Sequence, residues 1–184
     1  MLVRTAPRLA AGLVALALAA LASRPARAFE RQWHVGATIG GGAFSSPSSA
    51  VGPAVGAYAG YGLSDLFDLR AQLTASRLAF SGASEGTWVS SASAGLAYKL
   101  DVIEWVPWAD LQLGYYRIDG PAPGGRHAND VGASFGLGID YAFSRDLGLG
   151  AELRYHGFLR DAPTSLADTP YLTGMFRVEY SWGF

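Results

Sequence analysis

The stretch Val131–Tyr141, VGASFGLGIDY, sets Val131, Ala133, Phe135, Leu137, Ile139 and Tyr141 against Gly132, Ser134, Gly136, Gly138 and Asp140. Strict alternation of apolar and small or polar residues is the period of an extended strand, whose successive side chains point to opposite faces. Immediately downstream, Leu147, Leu149, Ala151, Leu153 and Tyr155 alternate with Gly148, Gly150, Glu152, Arg154 and His156. Upstream, Phe67, Leu69, Ala71, Leu73 and Ala75 alternate with Asp68, Arg70, Gln72, Thr74 and Ser76, and Trp33, Val35, Ala37 and Ile39 with His34, Gly36, Thr38 and Gly40. The whole set predicts eight strands, over about 32–43, 51–63, 67–78, 88–100, 106–117, 130–142, 147–158 and 171–184.

Each segment is long enough for a tilted strand to cross a bilayer, which takes about 9 to 11 residues, and eight is the smallest usual number in a closed transmembrane barrel. An open sheet in lipid would leave edge N–H and C=O groups without partners at several kcal/mol apiece, so strands in lipid predict closure. The fold class is therefore all-β, an eight-stranded antiparallel transmembrane barrel in an up-and-down meander. The connections near 64–66, 101–105 and 143–146 are about three to five residues. Those near 44–50, 79–87, 118–129 and 159–170 are about seven to twelve, as expected for periplasmic turns and extracellular loops respectively.

The first 28 residues read differently. Arg4 and Arg8 precede an apolar run of 14 residues from Leu9 to Ala22, and Ala26 and Ala28 place small residues three and one before Phe29. This is the pattern of a secretory signal peptide, and the run is short of the roughly 20 residues a membrane-spanning helix requires. The expected division is residues 1–28 as a cleaved signal and 29–184 as the barrel domain. The chain holds 14 Lys plus Arg and 15 Asp plus Glu. Four of the arginines (4, 8, 24 and 27) fall in the leader, so ten basic and 15 acidic residues remain, a formal charge of −5. That balance disfavours nucleic acid as a partner. With no cysteine, disulfides, cysteine-ligated zinc and cysteine nucleophiles are excluded.

Aromatic residues should gather at the two headgroup levels. On the outward face Trp33, Tyr61, Phe67 and Trp182 fall near the short-turn rim, and Trp88, Tyr115 and Tyr171 near the opposite one. A soluble sandwich or lipocalin-like barrel would carry more charge on its polar face than the Gly, Ser, Thr and Ala found here. The final segment, YLTGMFRVEYSWGF from Tyr171 to Phe184, ends with Val178, Tyr180, Trp182 and Phe184 at alternate positions. This resembles the assembly signal of bacterial outer-membrane barrels. Segments such as GYGLSDLFDLRAQLT (60–74) resemble the strand–turn–strand units of the small OmpA/OmpX-type and OmpW-type group. The resemblance implies a bacterial outer-membrane location, outer-membrane lipids as surroundings, and transient handling by periplasmic chaperones and the barrel assembly machinery, with Phe184 read by the latter. A monomer is expected.

The inward face carries Asp68, Arg70, Lys99, Asp110, Asp140, Glu152, Arg154, Arg177 and Glu179, with Asp101 and His34 near the short-turn rim and His156 toward the other. An eight-stranded interior holds side chains or one small ligand. Charges of both signs there predict an ion-paired plug, with Arg154 and Arg177 each within reach of a carboxylate among Glu152, Glu179, Asp140 and Asp110. The leading expectation is a structural or envelope-maintenance role. The alternatives are a narrow pore or lateral passage of small solutes, which the OmpW-type resemblance implies, and a lipid-modifying enzyme.

The enzymatic alternative finds little support. His34, His127 and His156 are the only histidines, and their positions do not suggest the convergence a triad or metal site needs. Small barrels that hydrolyse or transfer acyl chains use a His and Ser near the outer rim, but His34 is followed by Val35–Gly36 and His156 by Gly157–Phe158. The glycine-rich GATIGGGAF (36–44) lacks the Lys and helix of a phosphate cradle. No cofactor or metal is expected. In the long connections, Arg126 and Arg160, together with Arg117 at the end of the fifth strand, are placed to meet anionic lipid headgroups.

Overall fold

A computed structural model describes residues 31–44, 50–80, 86–100, 104–120, 127–158 and 171–183. The predicted signal segment, the loop residues Arg126 and Arg160, Asp101 and the terminal Phe184 lie outside these residues. So do the side chains of Phe80, His127 and Ala128.

Eight strands form a closed barrel in chain order: β1 (Trp33–Phe44), β2 (Ala50–Gly62), β3 (Phe67–Phe80), β4 (Thr87–Lys99), β5 (Trp105–Asp119), β6 (His127–Ala142), β7 (Leu147–Phe158) and β8 (Tyr171–Trp182). Every neighbouring pair is antiparallel, and β1 closes the sheet against β8, Trp33 opposite Trp182 and Phe44 opposite Tyr171. Among the described residues there is no helix. The periodic segments thus appear where the alternation put them, with ends moved by at most three residues.

The register can be followed round the wall. Trp33 pairs with Tyr61, which pairs with Leu69, and the path continues through Leu96, Leu111, Phe135, Tyr155 and Leu172 back to β1 at Ala43. One circuit therefore advances ten residues along β1. With strands about 4.8 Å apart and about 3.3 Å per residue, that stagger tilts the strands by roughly 40° and gives a backbone radius of about 8 Å. Such a bore is filled by side chains reaching in from opposite walls.

The two faces have inverted chemistry relative to a soluble protein. Leu69, Leu73, Leu111, Leu113, Leu153 and Phe176 are 50–72% exposed on the outside, while Arg70, Arg154 and Arg177 are buried inside at 1–2%. An apolar belt of this extent is stable only against hydrocarbon. At the short-turn rim it is bordered by outward aromatic pairs, Trp33–Tyr61 at 4.9 Å, Phe67–Tyr98 at 5.4 Å and Trp105–Tyr141 at 4.9 Å. Trp88, Tyr115 and Tyr155 are exposed toward the other rim. Tyr171 does not belong to that outer girdle. It shares the parity of Thr173, Arg177 and Glu179, points inward and is 1% exposed.

Two of the short turns use the same device. After β2, the Ser64 hydroxyl accepts N–H bonds from Leu66 (3.4 Å) and Phe67 (3.2 Å). After β6, Ser144 accepts from Asp146 (3.3 Å) and Leu147 (2.9 Å). A serine folding back on the backbone two and three residues ahead closes a tight reversal without a glycine. Among the described ladders the only interruption is at Gly52 and Pro53, which pair with no β3 residue. Proline has no N–H to donate there.

Candidate functional site

The lumen holds the polar residues singled out in the sequence, in three tiers beneath an apolar cap. Every carboxylate and cation of the nine faces inward, and all but Glu179, whose side chain is 12% exposed, are buried.

The central tier is organised around Asp110 of β5. Arg154, two strands away on β7, grips it with both terminal nitrogens, Nη1 to Oδ1 and Nη2 to Oδ2, each at 2.7 Å. Gln112 Nε2 adds a bond to Oδ2 at 2.9 Å and Arg70 Nη1 one at 3.4 Å. Ser93 in turn donates to Gln112 Oε1 at 2.6 Å. A planar guanidinium facing a carboxylate with two parallel bonds is the strongest arrangement such a pair adopts, and removing either partner would leave a buried charge alone.

Arg177 of β8 is the second node. It donates from Nη2 to Glu179 Oε2 at 2.7 Å and from Nε to the Tyr58 hydroxyl at 3.0 Å. Its Nε lies 3.2 Å from Asp140 Oδ1, and its Nη1 lies 3.8 Å from Glu152 Oε2. Tyr58 passes its own proton toward Glu179 Oε2 at 2.9 Å, and Gln72 donates to Glu152 Oε1 at 3.0 Å. Two like-charged guanidiniums share this space, each packed against the same two aromatic rings. Trp108 has the Arg70 guanidinium 4.2 Å from its ring and that of Arg177 at 4.7 Å, and Arg177 also lies 4.2 Å from the Tyr58 ring. Cation–ring contacts of this kind gain strength where water is absent.

Glycines opposite these side chains make room for them. A Cβ at Gly138 would run into the Trp108 indole, and one at Gly36 into the Tyr58 ring. At Gly136 it would come within 2.6 Å of Asp110 Oδ1 and 2.7 Å of Arg154 Nη2. The inward glycines are cut-outs for the plug.

Toward the short-turn rim, Lys99 Nζ lies 2.5 Å from Asp68 Oδ2, and His34 Nδ1 lies 3.3 Å from Glu179 Oε1 and 2.9 Å from Ser181 Oγ. A cavity of about 50 Å³ opens there beside Lys99, Asp140 and Glu179, room for only one or two waters. Toward the long-loop rim the interior changes character. His156 contacts Tyr116 OH at 3.0 Å and Thr173 Oγ1 at 3.2 Å, and its ring packs 4.7 Å from Tyr171. Tyr171 also hydrogen bonds Ser76. Above them Phe44, Ala50, Leu78, Val89, Ile118 and Tyr171, none more than 4% exposed, form a continuous apolar cluster across the bore.

The alternation located the charged residues, but two aromatic members, Tyr58 and Trp108, and the apolar cap did not stand out in the sequence. The signal was present: Trp108 has the parity of Asp110, and Leu78 that of Arg70. The two described histidine side chains do not converge. His34 and His156 sit at opposite ends of the lumen, and among the described residues no group of His, Asp and Glu could hold a metal.

A closed eight-stranded barrel with an apolar outer wall is also the architecture that comparison with known proteins shows. The sequence matches the family described as "Outer membrane protein beta-barrel domain" over residues 10–184. The chain belongs to that family. Its fold is similar to that of Neisserial surface protein A, with a TM-score of 0.66, 20% identity, and 80% of this chain and 96% of that one covered. It is similar also to OprG of Pseudomonas aeruginosa, with a TM-score of 0.57, 10% identity and coverage of 84% and 98%. For the attachment invasion locus protein Ail of Yersinia pestis the TM-score is 0.57, with 11% identity and coverage of 83% and 99%. No curated protein matches the sequence. Family membership places this outer membrane beta-barrel in the bacterial outer membrane, and at these identities the solved structures speak for the fold alone.

Proposed function

We propose that the protein is a structural, envelope-maintaining barrel whose lumen is closed rather than conducting. The observation that carries this reading is the grip of Arg154 on Asp110 inside the lumen, continued by the cluster of Arg70, Trp108, Arg177 and Tyr58. Together they occupy a bore of about 8 Å backbone radius. The apolar cluster from Phe44 to Tyr171 lies above these residues, so an ion entering from the loop side would have to lose its water before meeting any charge.

On this reading the leader is removed after Ala28, Val178, Tyr180, Trp182 and Phe184 act as the assembly signal, and chaperones and the assembly machinery are passing partners. The finished barrel works as a monomer among outer-membrane lipids, and neither a cofactor nor catalysis enters its role. Lateral passage is the less favoured reading, because Ala50 and Leu78, beside the interrupted ladder at Gly52 and Pro53, belong to the packed apolar cluster.

The test is single-channel recording of the purified protein in a planar bilayer, beside a variant carrying Arg154→Ser and Arg177→Ser. A silent unmodified protein with its folded, heat-modifiable gel mobility, and steps only in the variant, is the expected result. Reproducible steps from the unmodified protein would overturn the closed lumen and make passive transport the function.

A further inference from the structure

The outer wall is not evenly covered. Over β2, β3 and β4 the outward positions Ala57, Ala59, Ala71, Ala92 and Ala94 are alanines brought together by the register: Ala59 faces Ala71, Ala71 faces Ala94, and Ala57 and Ala92 flank Leu73. They floor a groove of about 760 Å³, almost wholly apolar in its lining. That volume is in the range of roughly 300–1,000 Å³ typical of small-molecule sites. Leu73 (61% exposed), Leu113 (64%) and Tyr115 (50%) stand beside the alanines as walls. Outward alanines occur on other strands too, but Ala109 stands between Tyr98 and Leu137 and Ala151 between Ile139 and Phe176, whereas Ala37, opposite Ala57, adjoins this patch. A hydrocarbon-facing surface has no need of small residues, so a recess here admits a chain against the backbone itself.

The groove has one charged end. The next outward positions toward the long-loop rim are Ser90, directly opposite Arg117, then Trp88, which lies between Arg77 and Asp119. Arg77 and Arg117 both project from the outer face, and the Arg117 side chain is 62% exposed. Asp119 meets Arg117 at Nε, 2.6 Å away, which leaves the Nη edge as the one a phosphate would take. Two arginines, a serine hydroxyl and an indole at headgroup level above an apolar recess are complementary to one amphiphile: acyl chain below, phosphate above.

We propose that this face binds an acylated, phosphate-bearing lipid of the outer leaflet, its chain in the alanine groove and its phosphate between Arg77 and Arg117. The site lies wholly on the outer surface and stands or falls separately from the closed lumen. A second copy of the chain fits the face less well, because a twofold axis along the membrane normal would bring arginines of both copies to the same height.

The experiment uses the protein refolded into phosphatidylcholine nanodiscs, titrated with lipid A carrying both phosphates, with its dephosphorylated form and with phosphatidylglycerol. Native mass spectrometry after release counts lipids retained per barrel. One variant carries Arg77→Gln and Arg117→Gln, a second fills the groove with Ala71→Leu and Ala94→Leu, and Arg145→Gln at the opposite rim is the control. Heat-modifiable gel mobility verifies folding of each.

One phosphorylated lipid per unmodified barrel is expected, held at least tenfold more weakly after either double substitution or after dephosphorylation, and unchanged in the control. Preference for phosphatidylglycerol over lipid A would name a glycerophospholipid as the occupant and keep the site. Equal retention by all variants would overturn the proposal, as would a loss in the arginine variant alone. Paired barrels dispersed by the leucines with lipid retention unaltered would replace it with a dimer face.

Discussion

Replacing Asp110 by alanine removes the acceptor for both terminal nitrogens of Arg154, for Arg70 and for Gln112 at one stroke. The Arg154 side chain is 1% exposed and that of Asp110 not at all, so the guanidinium left behind can recover little water. Removing one partner of a buried pair costs about 3–5 kcal/mol, whereas replacing both with apolar residues of similar volume is neutral or stabilising by about 1–4 kcal/mol. Asp110→Ala should therefore be severe, and Asp110→Leu with Arg154→Met milder, its remaining cost being the loss of the Arg70 acceptor. Urea unfolding from phosphatidylcholine vesicles, followed by tryptophan fluorescence and gel mobility, reads this directly. At an m-value of about 2 kcal/mol per M, a loss of about 4 kcal/mol lowers the midpoint by roughly 2 M. Arg117→Ala, which breaks an exposed pair at the rim, should leave the midpoint in place. If Asp110→Ala moved the midpoint by less than about 0.3 M, the lumen charges would be hydrated, and the ion-paired plug would be the wrong description of the interior.

Three further outcomes follow from the same geometry. Gly138→Ala drives a methyl into the Trp108 ring and should lower stability by about 1–3 kcal/mol, with a changed near-ultraviolet tryptophan signal; an unchanged melting curve would contradict the fit. Leu78→Ala in the apolar cap should cost about 2–5 kcal/mol in the same urea assay. Leu111→Arg, on the lipid face at mid-strand and 63% exposed, should cost about 2–4 kcal/mol in vesicles. A neutral result would mean that Leu111 does not lie at the depth its register gives.

Strand number, order and facing were legible because lipid outside and polar side chains inside impose the same two-residue period on every segment. Residues such as Arg70, Glu152 and Arg177 declared themselves by parity alone. Tyr171 misled because an aromatic residue near a rim suggests the headgroup girdle, while its parity with Thr173 and Arg177 points into the bore; parity is the stronger constraint, since a one-residue slip turns a whole strand over. The cap of Phe44, Leu78, Val89 and Ile118 stayed hidden for a related reason. Apolar residues at strand ends match the lipid face in composition, and only their position in the alternation marks them as interior. Which carboxylate Arg154 takes was not legible, because Asp110 and Arg154 are 44 positions apart and meet only through the ten-residue stagger. The alanine groove likewise exists only once β2, β3 and β4 are in register.

Closure of β1 on β8 also couples the seam to the interior. Arg177 on β8 meets Asp140 and Glu152 on its own side of that seam, on β6 and β7, and Tyr58 on the far side, on β2. While the seam between β1 and β8 is open, Arg177 lacks the Tyr58 hydroxyl, and that part of the inner wall stays wet. Drying of the interior and sealing of the seam are then one step.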